Sequence, residues 1–348
     1  MKKMWKGNHA IAEAAMRAGC KFYAGYPITP QTEIPEYLSA RMPELGRTCI
    51  QAENEMSAVY MILGAYSCGM RCMTSSSGPG ISLKQEGLSY ICAYYLPAVI
   101  VNVQRWGPGL GTLDSAQTDY LRDTRGGGNG DYRVIVLAPN SIQESIDLMY
   151  ESFDIAEKYR NPVEIMSEAA LGQMMEAVEF PEFKDREGEL DWTYDGTNRP
   201  HGKLPDSEKS AAALAKYTKI AEEFQRWESY RTEDAEYVFV AFGLPSRTSR
   251  NAVDQLRANG EKVGLIRPIT LWPFPIKAFE ELGPQVKGLI SVESTDTGQL
   301  IEDVALAAKK CKIDVPVYGL FSGLSISKTK AISEFYREVK SGQRKEVY

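Results

Sequence analysis

The sequence predicts an α/β protein with two doubly wound domains, the second smaller than the first. Three observations lead there. Apolar runs of strand length alternate with runs of helix length from residue 8 to about 166, and again from 237 to 320, as parallel sheets flanked by helices require. Some strand runs are almost purely Val, Ile and Ala, which marks strands covered on both faces. The length of 348 residues suits about two domains of roughly 100–200 residues each.

Asn8 reads as the cap of a helix that Gly19 ends, followed by a strand at 21–25 and a helix at 31–41. A strand at 48–51 leads into a strongly apolar helix at 55–69. A further strand at 71–75 breaks at Ser76-Ser-Gly-Pro-Gly80, and a helix opens near Ile81. Residues 97–104 form the most apolar strand. Strands at 133–137 and 162–166 enclose a helix from Ser141, with Glu144 as its capping-box partner. Residues 105–131 are glycine-rich, and so long a connection reads as a mobile lid or a partner-binding loop.

The first domain is assigned to 1–175, and 176–233 reads as a charged linker with one helix near 207–227. The second domain, 234–348, alternates strands at 237–243, 262–266, 288–293 and 315–320 with helices ending at 259 and spanning about 299–309.

The net charge of −6 argues against nucleic acid, whose binding needs a clustered basic face. The apolar run at 90–103 is broken by Pro97 and is shorter than the ~20 residues of a membrane helix. Polar Lys6, Asn8, His9 and Glu13 stand where a signal peptide would be apolar, so no membrane partner and a cytoplasmic location are expected. The six cysteines show no Cys-x-x-Cys spacing and read as core thiols. His9 and His201 are too few and too far apart for a metal or a triad, and no metal ligand is assigned.

In open parallel sheets ligands lie beyond the carboxyl ends of the strands. Four places qualify: Thr29, the pair Glu53 and Glu55, the run 75–80, and Arg105. A carboxyl at position 55 opens an apolar helix, where desolvation favours its protonated form; the plain alternative is an acid complementing the helix dipole, worth ~0.3–1 kcal/mol. Thr29, ahead of Pro30, either turns its hydroxyl outward or caps a helix at Gln31. Arg105 either grips a carboxylate with its fork or snorkels at a strand edge. Ser75 to Gly80 is a weak anion cradle, and Gly107-Pro-Gly-Leu-Gly111 is a poor dinucleotide fingerprint, so NAD is not expected.

Four motifs in order, Tyr-Pro-Ile-Thr-Pro (26–30), Glu-Asn-Glu-Met (53–56), Thr-Ser-Ser-Ser-Gly-Pro-Gly (74–80) and Val-Asn-Val-Gln-Arg (101–105), resemble the alpha subunit of 2-oxoacid:ferredoxin oxidoreductases. The resemblance covers residues 1 to about 175, with a weaker match beyond. It implies an N-terminal thiamine-diphosphate pyrimidine-binding-type domain and a smaller transketolase-C-terminal-like domain. It further implies that Glu55, rather than Glu53, meets the aminopyrimidine ring of thiamine diphosphate and that Thr29 and Arg105 bind the 2-oxoacid. Pro27, Ile28, Ser76, Ser77 and Gly78 then contact the cofactor.

A Gly-Asp-Gly run that would hold the diphosphate occurs nowhere in the sequence. The resemblance therefore implies a beta subunit carrying the diphosphate and Mg2+, and a chain that is incomplete alone. A gamma subunit, a ferredoxin-like delta subunit holding the iron-sulfur clusters, CoA and ferredoxin are implied with it. The short chain is more similar to branched-chain enzymes acting on 2-oxoisovalerate than to those for pyruvate or 2-oxoglutarate. Two other readings stand beside this one: half of a non-redox thiamine decarboxylase, and a scaffold that kept the fold without the chemistry.

Overall fold

In the computed structural model, which describes residues 2–186, 190, 192–193 and 206–348, strand and helix alternate as expected. His201 lies outside the described residues. The first half runs β1 (Lys3–Lys6), α1 (Gly7–Arg17), β2 (Phe22–Gly25), α2 (Glu33–Glu44), β3 (Thr48–Gln51), α3 (Glu55–Ser67), β4 (Cys72–Ser76) and α4 (Gly78–Ala93). It continues with β5 (Ala98–Gln104), α5 (Tyr120–Arg125), β6 (Ile135–Leu137), α6 (Ile142–Tyr159), β7 (Pro162–Glu168), α7 (Ala169–Gln173) and β8 (Met175–Val178). Then come α8 (Asp206–Glu223), β9 (Trp227–Tyr230), β10 (Tyr237–Val240), α9 (Gly243–Ala258), β11 (Val263–Pro268) and β12 (Thr270–Trp272). The last elements are α10 (Lys277–Glu280), β13 (Gly288–Glu293), α11 (Leu300–Lys310), β14 (Val317–Phe321) and α12 (Thr329–Lys340).

A seven-stranded sheet has the order β12-β6-β7-β5-β4-β2-β3, parallel except for β12 at its edge. A five-stranded sheet, β14-β13-β10-β11-β9, is parallel apart from β9. Central β5 is buried along its whole length, because helices cover both faces of the sheet and leave no position for a polar outward stripe. No described helix is long and apolar enough to cross a membrane.

Some local expectations are corrected. Asn8 does not cap α1: Lys6 holds that position, and Asn8 is buried inside the helix. Its amide donates to the Pro30 carbonyl (2.8 Å) and to Glu33 (2.6 Å), so tertiary partners replace the local one. Helix α2 starts at Glu33, after Thr32, not at Gln31. Ser141 and Glu144 do cap α6: the Ser141 hydroxyl accepts from the Glu144 N–H at 3.1 Å.

The 105–131 segment is a packed bridge with an exposed tip rather than one mobile lid. Ala116, Gln117, Tyr120 and Thr124 are buried, whereas Leu110 at the tip is 80% exposed. The Gln117 N–H donates to the Ser294 carbonyl (2.8 Å), its side chain accepts from the Ser294 N–H (3.1 Å), and its amide donates to Phe242 O and Glu168 Oε1, both at 3.1 Å. Burial of Gln117 is favourable here because both ends of its side-chain amide and its N–H find partners.

Glu168, the last residue of β7, receives the Leu244 N–H at the start of α9 (2.9 Å). A β-carbon at Gly243 would lie 1.8 Å from Glu168 Oε1, and Gly243 has φ +56°, so glycine is required there. Burial outweighs these hydrogen bonds and pushes the Glu168 carboxyl up to about 7. A carboxyl raised in the folded state contributes stability fully below its unfolded value and loses it as pH rises through 7. Glu168→Gln is therefore expected to be more stable than wild type above pH 7 by up to about 3 kcal/mol, with the gap closing toward pH 4.5. Denaturant midpoints at pH 4.5 and 8 measure this; a pH-independent gap contradicts it.

Candidate active site at the carboxyl edge of the sheet

Strand β2 pairs with β3 on one side and β4 on the other, so the chain reverses its direction of travel across the sheet there. Such a switch point leaves a crevice beyond the strand ends. Thr29, Glu55, the 76–78 turn and Arg105 all follow the carboxyl ends of these neighbouring strands.

Glu55 is the first residue of α3 and is 6% exposed, whereas Glu53 lies in the open. The helix starts here because the Asn54 side chain accepts from the Ser57 N–H at 2.8 Å. Among the described residues no side chain hydrogen-bonds the Glu55 carboxylate. It lies instead against the backbone of Gly80: a β-carbon there would fall 2.7 Å from Glu55 Oε1 and 2.2 Å from Ser76 Oγ. The hydroxyls of Ser76 and Ser77 are buried and without partners. Unsatisfied buried groups cost free energy unless a ligand completes them.

The loop after β2 exposes Pro27 and Thr29 and half-buries Ile28. Several contacts hold it: Gln31 donates to Tyr26 O (3.0 Å), Asn8 to Pro30 O (2.8 Å), and Arg105 Nη1 to Thr29 O (2.7 Å). With α2 opening at Glu33, the Thr29 hydroxyl caps no helix. Arg105 is 5% exposed; its Nη2 donates to Leu110 O (2.8 Å) and its Nε has no partner. Gly78, at φ +43°, lets the Arg105 side chain pass, with Nε 3.4 Å from where its β-carbon would be.

A cavity of about 630 Å³ opens between Gly78, Arg105, Trp106, Arg122 and Gln299. Arg122 there is held by Asp119 (3.0 Å) and Asp123 (2.7 Å) and donates to Gly78 O (2.9 Å). Burial raises the Asp119 carboxyl and, further, that of Glu164 behind it. Beside Glu55, α3, α4 and the cap residue after α4 expose Met56, Tyr60, Met61, Leu83, Tyr90 and Tyr94, with the rings of Tyr60, Tyr90 and Tyr94 in a row, the kind of apolar cluster that marks a partner surface.

Sequence reasoning missed Lys84 and Arg122, held Gly80 only as part of the 75–80 run, and gave Asn8 a capping role in place of its contact with the Pro30 loop. Lys84 carried a signal, as the one cation of α4, set between Ile81 and Leu88; Asn8 carried none.

Such a sheet edge, with a buried acid heading a helix beside exposed apolar side chains, is where a parallel α/β protein binds a cofactor, and family models place the chain among thiamine diphosphate-binding oxidoreductases. One described as pyruvate flavodoxin/ferredoxin oxidoreductase, thiamine diphosphate-binding, matches residues 13–239, and another, pyruvate:ferredoxin oxidoreductase core domain II, matches 235–331. The chain belongs to the thiamine diphosphate-dependent 2-oxoacid:ferredoxin oxidoreductases.

Ketoisovalerate oxidoreductase subunit VorB of Methanothermobacter marburgensis is 47% identical over 88% of this chain and 90% of that protein. VorB of Methanothermobacter thermautotrophicus is 44% identical over 97% of each. A 2-oxoglutarate:ferredoxin oxidoreductase from Magnetococcus marinus superposes with a TM-score of 0.85 at 25% identity, over 97% of this chain but only 65% of that longer one. A split-gene transketolase, 12% identical with a TM-score of 0.63, shares the fold.

The residues present fit the pyrimidine end of thiamine diphosphate. Glu55, Ser76 and Ser77 offer an unpaired carboxylate and two orphaned hydroxyls at one crevice.

Proposed function

We propose that this chain is the pyrimidine-holding catalytic subunit of an enzyme that oxidatively decarboxylates branched-chain 2-oxoacids, with 2-oxoisovalerate preferred, to acyl-CoA while reducing ferredoxin. The observation that carries this is the unpartnered Glu55 carboxylate, buried against Gly80 and Ser76 at the rim of an apolar face. Thiamine diphosphate, when bound, supplies the thiazolium carbon that adds to the keto group.

This chain's part is to hold and move a proton and to orient substrate. Glu55 shares a proton with a pyrimidine ring nitrogen. Thr29 presents its hydroxyl to the substrate, and Arg105 its unpaired Nε and remaining N–H groups to the substrate carboxylate. Pro27, Ile28, Ser76, Ser77 and Gly78 line the ring. The exposed face of α3 and α4 meets a beta subunit that carries Mg2+ and the diphosphate. Gamma and delta subunits, with iron-sulfur clusters, complete a cytoplasmic complex.

Arg122, the cavity's other guanidinium, is already matched by Asp119 and Asp123, so among the described residues the pocket offers no free cation for a second substrate carboxylate. That supports a branched-chain acid over 2-oxoglutarate. Turnover of the purified complex should favour 2-oxoisovalerate over pyruvate by at least roughly tenfold in kcat/KM, since the acids differ by two methyl groups and one methylene alone is worth roughly 10–200-fold. Faster turnover of 2-oxoglutarate overturns the substrate assignment.

A further inference from the structure

Among the described residues Lys84 is the only fully buried lysine. It stands on α4 one turn beyond Gly80, on the face that packs against α3. Glycine at 80 and 87 lets the two helices close up: a β-carbon at Gly87 would fall 2.3 Å from Val59 Cγ1. Lys84, between these glycines, extends its amine under the head of α3. Its Nζ lies 3.2 Å from the backbone oxygen of Glu55 and 3.0 Å from Thr74 Oγ1, and it forms no ion pair with a described residue.

An ammonium buried without a paired carboxylate costs stability, and packing alone offers no reason to keep one. From α3 the charged group facing it is Glu55; from β4 it is met by the neutral Thr74 hydroxyl. The buried acids Glu164, Asp119 and Asp123 act on Arg122.

We propose that Lys84 is a positioning residue for Glu55, clamping the first turn of α3 through the Glu55 carbonyl and so fixing where the carboxyl stands toward the cofactor. As an ammonium it holds the helix start through a charge-assisted hydrogen bond; as an amine it holds it through a weaker neutral one. Burial lowers the Lys84 amine to about 7, against the pull of Glu55, so both forms are in reach near neutrality. The role matters to catalysis only if Glu55 has the proton role given above.

Two measurements test this. Between pH 7 and 10 the unfolded lysine stays protonated while the folded one does not, so wild type gains stability as pH rises. Lys84→Met removes that gain: its Tm should exceed wild type at pH 6, and the two should converge by pH 10. In the assembled complex, Lys84→Met and Lys84→Gln should slow thiazolium C2-proton exchange at pH 7 at least tenfold and erase a wild-type pH limb near 7.

If Lys84→Met melts below wild type at pH 6, Lys84 is a structural peg and the proposal falls. A wild-type exchange rate and pH profile in Lys84→Met, beside an inactive Glu55→Gln, overturns the Lys84 role alone. Normal exchange in Glu55→Gln overturns the Glu55 reading and the positioning role with it, whatever the melting curves show.

Discussion

Glu55→Gln is expected to slow exchange of the thiazolium C2 proton in the assembled enzyme by roughly a hundredfold or more, the contribution of a positioned acid or base, while the fold survives. The geometry separates the two effects. The carboxylate has no hydrogen-bond partner among the described residues, and the start of α3 is fixed by the Asn54 cap and by Lys84 on the backbone carbonyl. An isosteric amide disturbs none of these contacts, so Tm should hardly move. Glu53→Gln, on an exposed side chain, is the control and should exchange normally. Exchange at the wild-type rate in Glu55→Gln would remove the residue from the proton path.

Arg105→Lys is expected to lower kcat/KM for the 2-oxoacid by about a hundredfold, roughly 3 kcal/mol, and the retained charge should not compensate. The fork does three things at once. It ties the Thr29 loop to the glycine tip through two carbonyls, at 2.7 and 2.8 Å, and leaves Nε unpartnered in the crevice. A lysine can satisfy one carbonyl but cannot bridge both and still face a carboxylate. KM should carry most of the loss, with a smaller fall in kcat as Thr29 drifts. An unchanged KM would leave Arg105 a purely structural tie.

Much of the sheet was legible because its strands declare themselves: 97–104 is apolar throughout, and β5 proves buried on both faces. The placement of the four candidate positions at one sheet edge was legible because each follows a strand that parallel topology brings there. Short pieces were not. Strands β1, β8, β9 and β12 have three or four residues, too few for period-two alternation to stand out, and their pairing is decided by distant segments. Helix α12 was legible and missed: Ile332, Phe335, Tyr336 and Val339 keep helical spacing and are buried. The supports of the site stayed hidden, since Asn8 reaches Pro30 across 22 residues and nothing in its own neighbourhood announces that contact.

Strand β12 has a consequence for how such genes can be rearranged. Thr270 to Trp272 follow β11 of the smaller sheet yet complete the larger one against β6. A split of the reading frame anywhere between β7 and β12 would strip β6 of its neighbour and bare a row of amide and carbonyl groups prone to self-association. A breakpoint downstream of Trp272 leaves that pairing intact.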